Sequence, residues 1–350
     1  MPSAWQIADG EAQDWQSIAA IENLHLVHDI PKPVPGPGEV LLNIKAVALN
    51  ARDMMVVAHN PVYPAIAIPE LVPCGDAAGV IEAVGPDSKW KVGDKVLFNP
   101  VAWVDGPVKT FEESDGTGAG SHQGTLREYA VFPDSRLIAA PSHLSFVEMA
   151  SLAAAAGTAS HTLFYNRIPF KKGDIVVAQG TGGVSAFVIQ LAAAAGATVI
   201  ATSSSDEKLS TARSLGATHL INYRKTPDWG AEVLRITNGQ GADHVVDVAG
   251  AGTIEQSILA AKHGGLVSLI GFLTESKKTD LVAPIIIGAK TIYGVLGMSN
   301  VMLEKVVELY NEHQLHPPIA KVFKFQEAKD AFAELTRLSA VGKIVVEVGV

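Results

Sequence analysis

The apolar run Ile175-Val176-Val177-Ala178 leads directly into Gln179-Gly180-Thr181-Gly182-Gly183, and then into a helix-compatible stretch over residues 184–195. A second β-rich run follows at residues 198–202. Strand, glycine turn, helix and strand in this order form the start of a βαβ unit, which restricts the chain to folds built on a parallel sheet. The alternation continues, with predicted helices at 206–215 and 229–237 and predicted strands at 219–222, 244–248, 266–270 and 291–296. Helices of this length between strands imply right-handed crossovers.

Glycines at such a turn let the chain bend sharply and let its backbone approach a pyrophosphate, whose charge the amides of the helix N-terminus stabilise. A plain strand-to-helix turn is the alternative, but the order of elements favours a dinucleotide. The position of the last glycine in G-x-G-x-x-G holds Ser185, which predicts a helix set slightly farther from the sheet. After the second strand, a site for a bare ribose 2′-hydroxyl would carry an acid. Here the strand runs into Ser203-Ser204-Ser205, with Lys208 one turn later, a set better suited to the 2′-phosphate of NADPH. Asp206 and Glu207 weigh the other way, although acids in a first helical turn ordinarily face the helix dipole.

Up to about residue 140 the texture differs. Short β-rich runs at 40–47, 79–84 and 95–98 are separated by Pro33-Val34-Pro35-Gly36-Pro37-Gly38 and Gly85-Pro86-Asp87, which predicts a mainly β domain. Residues 99–124 read as a long loop or flap. Ser145 is placed to cap a helix, residues 325–338 read as an amphipathic helix, and 343–348 as a closing strand. A length of 350 residues suits two domains, and 48% hydrophobic with 18% charged residues permits a sizeable core.

A net charge of −9 offers no attraction for nucleic acid or an anionic membrane surface. Residues 184–201 approach bilayer-spanning length but are interrupted by Ser185, Gln190, Gly196 and Thr198, so no membrane span is expected. Cys74 is the lone cysteine, which excludes an internal disulfide framework and any multi-cysteine zinc site and favours a reducing compartment. Met1-Pro2-Ser3-Ala4-Trp5 does not read as a secretory signal, and the expected location is cytoplasmic.

Several blocks together resemble the medium-chain dehydrogenase/reductase superfamily over essentially the whole chain. They are Gly36-Pro37-Gly38-Glu39-Val40-Leu41, Ala46-Val47-Ala48-Leu49-Asn50-Ala51-Arg52-Asp53, Gly75-Asp76-Ala77-Ala78-Gly79-Val80, Val92-Gly93-Asp94-Lys95-Val96, Gly157-Thr158-Ala159, the glycine loop, Leu215-Gly216-Ala217-Thr218-His219 with Ile221-Asn222-Tyr223, and Gly342-Lys343. The texture is most similar to the zinc-independent branch of quinone oxidoreductase-like and zinc-free alcohol dehydrogenase-like proteins. Zinc-dependent relatives carry a cysteine where this chain has Asn50, and a Gly-His-Glu triplet where it has Cys74-Gly75-Asp76. His25 with His28, and His313 with His316, lack supporting cysteines or carboxylates, so no metal site is expected.

The resemblance implies an α/β fold with a Rossmann doubly wound parallel sheet domain over 151–314 and a GroES-like, mainly β catalytic domain formed by 1–150 and 315–350. It implies that Gly180, Thr181, Gly182, Gly183 and Val184 hold the pyrophosphate of NADPH. Ser203, Ser204, Lys208 and Tyr223 would surround the 2′-phosphate, and Thr158, Gly271, Phe272, Leu273, Gly297 and Met298 would line the nicotinamide and its ribose. For Tyr223 and Phe272 the alternative is ordinary packing at a strand end.

The implied chemistry is hydride transfer from NADPH, without zinc, to a small conjugated carbonyl compound or quinone. Asn50 is the first candidate to stabilise the oxygen that gains charge, and Tyr63 the second. Asn50 could instead hold the backbone or the cofactor ribose, Tyr63 could pack under its loop, Asp53 reads as a helix cap, and Cys74 as an apolar filler. Trp103 and His122 receive no role. Direct alcohol/carbonyl interconversion without zinc shares nearly every cofactor residue and remains open, as do a narrow secondary-metabolite reductase and a non-catalytic NADPH-binding protein. The family also implies a homodimer paired through an edge strand, here 291–296.

Overall fold

In the computed structural model, residues 2–63, 68–106, 116–274 and 278–349 are described. The chain begins with β1 (Ala4–Ile7), β2 (Leu24–Val27), β3 (Glu39–Ala48), α1 (Ala51–Val57), β4 (Asp76–Val84), β5 (Lys95–Phe98), β6 (Tyr129–Pro133), β7 (Leu137–Ala139) and α2 (Phe146–Ser151). It continues with α3 (Gly157–Phe164), β8 (Ile175–Gln179), α4 (Gly183–Ala194), β9 (Thr198–Ser203), α5 (Asp206–Ser214), β10 (His219–Asn222), α6 (Trp229–Ile236), β11 (Ala242–Asp247), α7 (Ile254–Ala260), β12 (Ala261–Leu269), α8 (Val282–Ile287) and β13 (Thr291–Gly294). The last elements are α9 (Asn300–His313), β14 (Ile319–Lys324), α10 (Ala328–Thr336) and β15 (Lys343–Glu347).

Two compact units result. One comprises Met1–Gly157 with Gly297–Val350, the other Thr158–Leu296. In the second, six strands run parallel in the order β10-β9-β8-β11-β12-β13. This is a doubly wound α/β sheet whose order reverses between β8 and β11, where such sheets bind ligands beyond their carboxyl ends. The central strands are buried, and Val177, Ile200, Val245 and Val267 pack with Trp229, Val233 and Ile258 in one core.

The first unit contains the order β14-β15-β3-β4-β5-β7, with β6 also paired to β3, and a separate β1-β2 hairpin. Its strands are antiparallel except for the β14–β15 pair. Helix α9, which falls within the 151–314 segment of the sequence expectation, packs in this unit: Asn300 accepts a hydrogen bond from Asn99 (2.8 Å) and donates to the Ser135 carbonyl.

Local differences from the sequence reading have physical causes. The predicted helix over 325–338 is a 3-10 turn, Phe325–Glu327, followed by α10. Strand β12 starts at Ala261, earlier than 266, and Gly264 and Gly265, which read as a break, sit inside it where its pairing with β11 shifts register. Helix α2 runs into a π-helical turn, Leu152–Ala156, which periodicity does not signal. Of the expected long loop, residues 107–115 lie outside the described residues, while Thr117 and His122 form a short bridge.

Candidate active site

Strands β8, β9 and β11 end at Gln179, Ser203 and Asp247, on one edge of the parallel sheet. Buried Gln179 accepts through Oε1 from the amides of Val248 and Ala249, both at 3.0 Å. The Asp247 carboxylate accepts from the amides of Ala249 and Gly250 and from the hydroxyls of Thr253 and Ser257. Together these side chains pin the turn after β11. Gln179 Nε2 is buried with no partner among the described residues.

Gly180 has a φ of 77°, the left-handed region that its place in the turn requires. Gly182 differs, because its φ of −69° and ψ of −172° are open to any residue, and a Cβ there would meet nothing within 4 Å. Neither backbone strain nor packing calls for glycine at 182. The open space in front of the α4 N-terminus, with Gly183 and Val184 partly exposed beside it, fits a pyrophosphate. The buried Ser185 hydroxyl donates to the Gln179 carbonyl at 2.7 Å and ties the first turn of α4 to the end of β8.

The residues expected around the adenosine 2′-phosphate divide into two groups. Ser203 is buried with its hydroxyl 3.4 Å from that of Thr181, so it supports the loop. Ser205 caps α5 by accepting from the Lys208 amide at 3.2 Å. Ser204, Lys208 and Tyr223 keep exposed surface, and Tyr223 is held beside β9 by the hydrogen bond its backbone N–H donates to the Ser203 carbonyl. Asp206 accepts from Asn222 (2.7 Å) and Lys225 (2.5 Å), bonds that lower its pKa and match its charge with that of a lysine.

Tyr223 is 40% exposed and Phe272 57%, so neither is packed at a strand end. Gly271 presses on the Val248 backbone, and Leu273 is exposed. Thr158 lies in α3, its carbonyl bonded by the Thr162 hydroxyl. Gly297 and Met298 belong to the first unit; the Met298 side chain is buried against Gly157, so it serves that core.

In the first unit a second polar cluster forms where three strands end. Ala48 pairs with both Asp76 and Val345, so the ends of β3, β4 and β15 meet there. Asn50 precedes α1, and Asp53, three residues on, accepts from the Asn50 amide at 2.8 Å, the capping role expected of it. Lys343, at the start of β15, is buried and donates to the Leu49 carbonyl (2.8 Å), Asn50 Oδ1 (2.5 Å) and Asp76 Oδ2 (3.3 Å). The second Asp76 oxygen accepts from the Ala154 amide in the π turn at 3.1 Å. Asn50 Nδ2 is buried and has no partner among the described residues.

Arg52 lies beside this group. It pairs with Asp53 at 3.3 Å and donates to the Thr117 carbonyl at 2.5 Å. Burial works against its charge, but Asp53, Tyr63 and Asp76 outweigh it and hold the guanidinium pKa above its ordinary value. Burial pushes the Asp53 carboxyl up to about 6, against the opposing pull of Arg52 and the Asn50 amide. Tyr63 is half-buried, packs against the first unit's core and neighbours Arg52. Cys74 is fully buried at a φ of 71°, with its thiol pKa pushed up by burial, as an inert filler would be.

Sequence reasoning singled out Asn50 and Tyr63 but missed Lys343, Asp76, Arg52 and Gln179. Lys343, Asp76 and Arg52 all stood within the matching blocks, but which strand ends meet is set by non-local pairing that no spacing reveals.

The model for the alcohol dehydrogenase GroES-like domain matches residues 36–142, and that for the zinc-binding dehydrogenase matches 183–312. A zinc-type alcohol dehydrogenase-like protein of Schizosaccharomyces pombe is 39% identical over 92% of this chain and 94% of its own length. The chain belongs to the medium-chain dehydrogenase/reductase superfamily. Within the superfamily, a 2-haloacrylate reductase of a Burkholderia species is 31% identical over 68% of this chain and 66% of its own. The crystal structure of an NAD-dependent alcohol dehydrogenase superposes with a TM-score of 0.87 at 32% identity, covering all of both chains. This superfamily member is thus an NAD(P)H-dependent oxidoreductase with a GroES-like and a Rossmann-like part.

The zinc in the names of the matching model and of the yeast relative does not fit the residues present. Asn50 and Gly75 stand at the cysteine and histidine positions, and a Cβ on Gly75 would lie 2.3 Å from Arg52 Nη2. A cationic guanidinium fills the space beside residue 75. Among the described residues no three His, Cys, Asp or Glu side chains are grouped to hold a metal ion. No described helix is long and apolar enough to cross a membrane.

Proposed function

We propose that this superfamily member uses NADPH to reduce a conjugated carbonyl compound or a quinone, with hydrogen-bond donors rather than zinc stabilising the oxygen that gains charge. The observation that carries this reading is the unpartnered Asn50 Nδ2, a buried donor fixed by Lys343 where zinc-dependent relatives place a metal ligand. Leaving a buried donor unsatisfied costs about 1–3 kcal/mol, a cost that a ligand oxygen would relieve.

Bound NADPH supplies the hydride. The Gly180–Val184 segment would receive the pyrophosphate, and Ser204, Lys208 and Tyr223 would hold the 2′-phosphate, with Asp206 neutralised by Lys225. Asn50 donates to the carbonyl oxygen as hydride adds to the β-carbon and charge moves onto an enolate. Tyr63, beside Arg52, is the candidate proton donor to that enolate. The similarity to a 2-haloacrylate reductase supports reduction of an activated double bond.

The protein is further proposed to be a homodimer. β13 is a sheet edge, and Val282, Ile286 and Ile287 of the neighbouring α8 segment are 65%, 71% and 76% exposed, a surface suited to a second copy.

Product analysis with NADPH and an α,β-unsaturated ketone tests the reaction. Saturated ketone is expected. Allylic alcohol would assign carbonyl reduction instead, and NADPH binding without oxidation across quinones, enones, enals and aldehydes would assign a non-catalytic role. Replacing Tyr63 with Phe tests the proton donor, and unchanged turnover would remove it.

A further inference from the structure

We propose that Lys343, held by Asp76, is a positioning residue that fixes which face of the Asn50 amide meets the substrate. The inference rests on the reductase reading and deepens it.

An ammonium group has three N–H donors and no acceptor. All three donors of Lys343 have partners: the Leu49 carbonyl, Asn50 Oδ1 and Asp76 Oδ2. Asn50 must therefore turn its oxygen toward Lys343, since the flipped amide would set NH₂ against NH₃⁺. The remaining group, Nδ2, then faces the other way, and it is the buried donor without a partner among the described residues. The lysine is itself constrained, because Asp76 is anchored by the Ala154 amide and Lys343 by its place on β15.

An asparagine oriented in this way offers a donor and no acceptor. It selects a ligand atom that accepts, which is the substrate's carbonyl oxygen, and the positive charge behind the amide strengthens that hydrogen bond as the oxygen becomes anionic. Lys343 acts wholly through Asn50.

The test uses the full-length protein with cofactor. Asn50→Asp retains the acceptor for Lys343 but removes the donor; Lys343→Met with Asp76→Asn removes the buried charges as a pair, so that neither is left unmatched. Both variants are expected to lose at least tenfold in kcat for the enone while keeping the wild-type NADPH dissociation constant. In an Asn50→Ala background the double change is expected to lower kcat no further. An equal loss with and without Asn50 would overturn the proposal, and so would weakened NADPH binding in Asn50→Asp, which would assign the donor to the cofactor.

Two readouts do not depend on turnover. Affinity of the NADP⁺-loaded enzyme for 2-cyclohexenone, followed by protein fluorescence, is expected to fall at least tenfold in Asn50→Asp, and equal affinity overturns the assignment. A high-resolution crystal structure of the Lys343→Met, Asp76→Asn variant is expected to show the Asn50 amide rotated or disordered; an unchanged amide would refute the positioning role even if the wild type reduced no enone, an outcome that would itself count against the proposed function.

Discussion

Arg52 and Gly75 are complementary: the guanidinium of one occupies the space that any side chain on the other would need, with only 2.3 Å between Nη2 and a Cβ built on residue 75. The enzyme is accordingly expected to hold less than about one zinc per ten chains by elemental analysis, because a bound dication would have to displace an arginine already paired with Asp53. Dialysis against a chelator should leave its rate unchanged; a stoichiometric, activity-linked zinc would contradict the arrangement.

Gly182 separates folding from binding. Since its backbone is ordinary and its front is open, Gly182→Val should leave the melting temperature within about 2 °C of wild type, an ordinary surface-substitution effect. NADPH affinity, measured by fluorescence titration, should fall at least tenfold. A matching fall in stability would mean that the glycine serves the fold.

Cofactor choice is expected to rest on Lys208. Lys208→Ala should raise KM for NADPH by about tenfold, in line with about 1–2 kcal/mol for a charge-assisted hydrogen bond, while leaving KM for NADH within twofold. Equal effects on both cofactors would place the lysine away from the 2′-phosphate.

Stability should depend on pH through Asp53. The folded carboxyl titrates at about 6, above the ordinary value of about 3.9, so the folded state binds the proton more tightly. The resulting stabilisation is fully present below about pH 4 and is lost as pH rises through about 6, amounting to about 2–3 kcal/mol from this group. Urea denaturation at pH 5 and pH 8 should show that wild type loses stability across the interval relative to Asp53→Asn. Parallel behaviour of the two proteins would reject the assignment.

Self-association should be sensitive to α8. Ile286→Asp is expected to convert a dimer into a monomer at micromolar concentration by light scattering, because a charge would enter an otherwise apolar contact. A dimer that persists unchanged would move the interface elsewhere.

The nucleotide-binding half was legible in the sequence because its information is local: the apolar run Ile175–Gln179, the glycines and the helix after them are contiguous. The alternation of strands with helices and the capping role of Asp53 likewise agree with expectation. Ser185 was legible only as added bulk, and its hydrogen bond to the Gln179 carbonyl was not, because spacing does not show which way a hydroxyl points. The polar cluster was only half legible. Asn50 stood out by position, but its partner Lys343 lies 293 residues away, brought close by the pairing of β15 with β3. Even the Asp76 carboxylate depends on a π turn that leaves the Ala154 amide pointing at it.

The bond from Ser185 to Gln179 has a kinetic consequence. A loop fastened at both ends has little left to organise when its ligand arrives, so docking of the dinucleotide should not wait on loop closure. The speed of association is then expected to be governed by diffusion into the site, and residence time by how many of the loop's amides the ligand engages.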